Sequence, residues 1–129
     1  MTEAQVVRLM RRHLETQFPL ECPRCGRRYA TLRDFLLDTR PAGPPIPHDA
    51  EAGDWNPARP LGTMTHANCA CGDTLTLSSH GMPLARLWRL LDWARAETQR
   101  RGTTPRELLE HLRTVISAQV LSERPPDGA

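Results

Sequence analysis

Apolar residues recur along this chain in three distinct rhythms. In the first stretch Val6, Met10 and Leu14 return every four residues, with Val7 and Phe18 beside them. Arg8, Arg11, Arg12 and Glu15 take the opposite face. That spacing predicts an amphipathic helix over 2–18, opened by a capping box between Thr2 and Gln5 and stopped by Pro19. The next stretch, "LECPRCGRRY", reads as strand, turn and strand, after which Thr31 and Asp34 open a short second helix, "LRDFLLDT". Residues 40–62 then hold nine prolines and glycines, which predicts a loop without a regular element, with Trp55 as a plug over the core.

The second rhythm is strict alternation. Met64 and His66 precede "CACG", and Leu75 and Leu77 follow it, which predicts a hairpin with "CACG" at its tip. The third is helical again. Pro83 suits a first helical position, and Leu84, Leu87, Trp88, Leu91 and Ala94 line one face, widened by Leu90 and Trp93. So broad a band predicts contact with another helix or another subunit. Gly102 ends that helix, and Thr104, Pro105 and Glu107 start the next, whose Leu108, Leu109, Leu112, Val115, Ile116 and Val120 share a side. Residues 83–122 thus read as a helical hairpin, and 123–129 as a frayed tail.

Four cysteines fall in two tight pairs, Cys22 and Cys25 in "CPRCG", Cys69 and Cys71 in "CACG", separated by 43 residues. Close pairs with a long insert predict metal ligands, because a short loop that doubles back presents two sulfurs to one ion. Gly26 and Gly72 follow the second cysteine of each pair and permit the positive φ that turns backbone N–H groups towards thiolates. The candidate ligands are Cys22, Cys25, Cys69 and Cys71, with His66 as a substitute for one of the second pair. Rival chemistries fit less well. Gly26 stands where c-type haem attachment needs a histidine, and Gly26 with two arginines is a poor start for the helix of a dithiol redox site. A zinc deaminase needs His-x-Glu upstream of its cysteines, and "HAN" at 66–68 supplies neither the glutamate nor the order.

The two loops resemble the knuckles of the zinc-ribbon and rubredoxin-like class. The likeness covers about ten residues, and the second knuckle departs from it, with one residue between its cysteines where the class usually has two. Set beside the helical patterns above, the resemblance leads to an expected α+β fold: a zinc-ribbon-like hairpin unit at 19–80, packed with the N-terminal helix and the C-terminal helical hairpin in a single domain, 1–129. It implies bound zinc, with iron as the alternative ion.

Charge narrows the function. All 17 basic residues are arginine, as a GC-rich coding sequence gives, and the formal net charge is only +2. Dedicated nucleic-acid binders carry a stronger basic excess. Arg24, Arg27 and Arg28 crowd the first knuckle, where they offset thiolate charge or meet an anion. No apolar run reaches the roughly 18 residues of a membrane helix, and the N-terminal stretch lacks a secretory h-region, so a cytoplasmic location is expected. No catalytic constellation stands out; Asp34, Asp38 and Asp73 read as caps and turn formers. The expectation is a non-enzymatic adaptor, regulator or accessory subunit that meets a protein partner, or itself, through the C-terminal helices. Redox or electron transfer at the thiolates is the alternative, and nucleic-acid binding a second one.

Overall fold

A computed structural model describes residues 1–43, 46–47, 63–79 and 81–123. Four helices and short antiparallel strands make an α+β fold among them. Helix α1, Glu3–Glu15, begins at the expected capping box: the Thr2 hydroxyl accepts from the Gln5 N–H, and the Gln5 side chain accepts from the Thr2 N–H. It is shorter than the predicted 2–18. Gln17 and Phe18 donate backbone N–H groups to carbonyls three residues back, a tightened final turn that leads to Pro19. Strands β1, Leu20–Glu21, and β2, Arg28–Tyr29, pair across the first knuckle, with Leu20 opposite Tyr29. Helix α2, Leu32–Asp38, follows with Thr31 as its cap.

The predicted loop needs correction. Arg40–Pro41 forms β3 and Ile46–Pro47 forms β4, both antiparallel to the same edge of β5, Thr63–Asn68. Arg40 lies opposite Asn68 and Ile46 opposite Met64, so six steps along one chain match four along the other. Two-residue strands on an edge tolerate proline, because few of their N–H groups are needed for pairing. Residues 44–45 and 48–62, Trp55 and His48 among them, lie outside the described residues, as does His80. Strand β6, Thr74–Ser78, completes the expected hairpin with β5 and buries Leu75 and Leu77.

Helix α3, Leu84–Arg101, starts one residue later than expected: Pro83 has an extended ψ of 133° and serves as N-cap. Its buried face is Leu87, Leu90, Leu91, Ala94 and Thr98. Leu84 and Trp88, assigned to that face from sequence, are instead 56% and 43% exposed, because the buried stripe runs through Leu87, Leu91, Ala94 and Thr98 and leaves both to one side of it. Gly102, with φ 64°, ends α3 in the left-handed region, as "RRG" predicts. Helix α4, Pro105–Ser122, begins with the capping box of Thr104 and Glu107.

Helix α4 is the spine of the molecule and packs against α1, α2, α3 and β4. Its C-terminal end is fastened twice. The Arg33 guanidinium donates to the carbonyls of Val120, Leu121 and Glu123, supplying partners that the last turn lacks. Arg11 grips the Glu123 carboxylate with two bonds of 2.6 Å, so Glu123 is anchored where sequence suggests a loose tail. At the other end Arg101 links Glu97 on its own helix to Glu3 of α1.

Candidate metal centre

The first knuckle is a turn closed by two backbone bonds. The Cys22 N–H donates to the Arg27 carbonyl at 2.9 Å, and the Gly26 N–H donates back to the Cys22 carbonyl at 2.9 Å. The second knuckle repeats the scheme with one residue fewer. There the Cys69 N–H donates to the Asp73 carbonyl and the Gly72 N–H to the Cys69 carbonyl, each at 2.8 Å. Gly26 and Gly72 both take positive φ, 77° and 93°. Thus the residue missing between Cys69 and Cys71 shortens the turn without changing its plan. Each knuckle sits at the tip of its own hairpin, β1–β2 or β5–β6.

The two turns face each other. Cys22 Sγ lies 3.7 Å from Cys71 Sγ, and Cys25 Sγ lies 3.7 Å from Cys69 Sγ. All four sulfurs fall within 4.8 Å of one another. A tetrahedron with arms of about 2.3 Å has edges of about 3.8 Å, so the spacing fits one zinc-sized ion held by four thiolates. The pairs are far longer than a disulfide of about 2.05 Å. Cys22 and Cys69 are buried, Cys71 is half-buried and Cys25 is exposed.

Of the sequence-derived candidates, the structure brings together the four cysteines. His66 is not in the cluster; its Nδ1 meets Thr76 Oγ1 at 2.8 Å across the β5–β6 ladder. Of the knuckle arginines, Arg27 is engaged by Asp38 at 3.2 Å and lies 5.4 Å from the centre of the Tyr29 ring. Arg28 stands opposite Glu21 in the β1–β2 pair.

Sequence reasoning missed Tyr29. Its ring is 1% exposed and packs edge-on against Phe35, which packs the same way on Phe18, both with centroids 5.6 Å apart. Its hydroxyl donates to Cys69 Sγ at 3.0 Å. Outer contacts of this kind fix a ligand's orientation and favour its charged form. The Tyr29 hydroxyl, helped by the Cys71 backbone N–H, holds the Cys69 thiol down at about 6. Burial in turn pushes Tyr29 itself up to about 12. Cys25 moves the other way, to about 11: the Arg27 backbone N–H lowers it, but lost hydration and the neighbouring thiols outweigh that pull. A tyrosine three residues beyond the Cys25-Gly26 pair was the only signal in the sequence, and alternation along β2 alone places it inward.

Tyr29→Phe tests this contact. In metal-free protein it is expected to cost about 1 kcal/mol, the net worth of one hydrogen bond. Thiolate absorbance should show Cys69 titrating nearer its ordinary value of 9.0 instead of about 6. A lowered folded value gives stability that is complete above 9.0 and lost as pH falls through about 6. Urea titrations of the parent across that window should therefore show stability rising with pH, and the Phe variant should show a smaller rise.

No protein-family model matches this chain, and no curated protein or solved structure is significantly similar to it.

Proposed function

We propose that the four cysteines hold one zinc ion as a structural centre in a small, non-enzymatic regulatory, adaptor or accessory protein. The single observation carrying the metal assignment is the convergence of two distant knuckles on sulfur spacings of 3.7 Å. Four thiolates leave no ligand position open for water, which favours a structural role over hydrolytic catalysis. One feature supports action through protein contacts: Leu84 and Trp88 stand one turn apart on α3 and both are exposed. On this reading the metal joins the tips of the two hairpins, and the exposed Leu84 and Trp88 of α3 form the contact surface.

A second reading has its own observation. Cys25 is exposed at the edge of the sulfur cluster, so oxidants reach one ligand directly. Iron at the same ligands, or reversible thiol oxidation with metal release, would use that access.

Elemental analysis of untagged protein, with a visible spectrum and a free-thiol count, separates the two. One zinc per chain, no colour, and thiols masked until chelation is the expected result. Iron with red colour, or disulfides with no metal, would replace the structural reading by the redox one. The contact surface is tested by sedimentation of the parent and of Trp88→Glu. A parent mass above one chain that falls to one chain in the variant supports self-association through α3. A parent already monomeric leaves a heterologous protein as the partner this reading requires.

A further inference from the structure

A cleft with no cysteine in its lining opens between α1, α2, the β5–β6 hairpin and α4, with a volume of about 740 Å³ including its open mouth. A second cleft, about as open as the first and about 420 Å³ with its mouth included, lies between α1, α3 and α4. Met10, Ser79, Met82 and Leu109 line both, so the two are neighbours across a partition that includes two flexible methionines.

The two ends differ in chemistry. The outer cleft carries Arg113, with Ser117 one turn further along α4 and Thr65 of β5 nearby. The second, inner cleft is also open to solvent; its walls are mostly apolar, with Trp93, Leu87 and Leu91, and Ser79 is its polar group. No carboxylate lines either cavity among the described residues. Arg113 is held in place by one nitrogen: its Nη1 donates to the Gly43 carbonyl at 3.0 Å and to Thr65 Oγ1 at 3.2 Å. Both acceptors are neutral, and the Arg113 Nη2 and Nε have no bond to a described residue. A positioned cation with spare donors at one end of an apolar passage is complementary to a carboxylate on an alkyl chain.

We infer that this cleft binds an amphipathic carboxylate of the medium-chain fatty-acid class, with its head at Arg113 and its chain running past Met82 towards Trp93. The chain would fill space whose walls otherwise lack dispersion partners, and Met10 and Met82 would shift to admit it. Recognition of the head rests on paired charge-assisted bonds from Arg113, with Ser117 as a neutral donor beside it.

Calorimetry on the full, metal-loaded chain tests this with three probes of equal length below their micelle concentrations: dodecanoate, dodecanol and dodecyltrimethylammonium. Dodecanoate should bind saturably, one per chain, at least tenfold more tightly than the alcohol, and the cation should not bind. Arg113→Gln should remove the preference of acid over alcohol while leaving alcohol binding in place. Ala94→Met, which narrows the inner cavity, should shift the best chain length to a shorter acid. Equal binding of all three probes, no saturable binding of the acid, or an Arg113→Gln variant that keeps the preference would each overturn the proposal. If Arg113→Gln fails to fold, the parent's ranking of the three head groups decides the matter by itself.

Discussion

Cys22→Ser should yield a chain that holds no metal and melts at least about 15 °C below its parent. Cys22 is 1% exposed and lies 3.7 Å from Cys71 across the cluster. A serine oxygen in its place is a poor partner for zinc and sits on a shorter bond, so it falls short of the position the sulfur holds. In small zinc domains metal binding is folding free energy, about 10–16 kcal/mol in isolated finger peptides. Here the helices supply a core of their own, so the loss is a fraction of that amount. A loss of about 4 kcal/mol, at roughly 4 °C for each kcal/mol, sets the size of the shift. Metal analysis and thermal melts read both parts of the outcome. A variant with one metal per chain and the parent's melting point would remove Cys22 from the ligand set.

The largest purely apolar effect should come from Leu112→Ala, at about 3–5 kcal/mol. Leu112 is 1% exposed, on the face of α4 that meets α1 and α3, and it also walls the inner cavity. Deleting most of its side chain enlarges space that the neighbours already fail to fill, so little collapse is available to soften the loss. Urea denaturation gives the value directly. Leu84→Ala is the control, since Leu84 is exposed and its truncation should stay within about 0.5 kcal/mol. Equal effects at the two positions would mean that α4 is not packed as described.

These two residues also mark how far the sequence could be read. Leu112 and Cys22 were both legible, one from a 3.6-residue rhythm and the other from paired spacing. Both signals are local, and so are the capping boxes at Thr2 and Thr104. Legibility ended where the answer depended on residues far apart in the chain. Trp88 shares a helical stripe with Leu91, yet which side of that stripe is buried depends on where α1 and α4 lie. The two-residue strands β3 and β4 are too short to carry any periodicity and exist because β5 offers them an edge. Tyr29 gains its importance from Cys69, forty residues away, and a single sequence holds no trace of that meeting. The shortened second knuckle raised doubt about its ligands, and the matching backbone bonds of the two turns explain why one residue fewer still places its sulfurs.

That separation between the knuckles has a consequence in time. Cys22 and Cys71 are 49 positions apart, whereas α3 and α4 are neighbours joined by a short turn. Contacts close in sequence form early, and those that need a long loop closed form late. The helical hairpin should therefore collapse before the sulfurs meet, leaving metal capture on the native side of the rate-limiting barrier. An ion that arrives after the barrier slows escape from the folded state and scarcely alters entry to it. Stopped-flow traces with and without zinc should show matching refolding rates and a much slower unfolding rate in the loaded protein. A refolding rate that climbed with zinc would instead place the cluster in the nucleus. For a chain that follows the expected course, the cluster sets how long each folded molecule lasts before it opens and is destroyed.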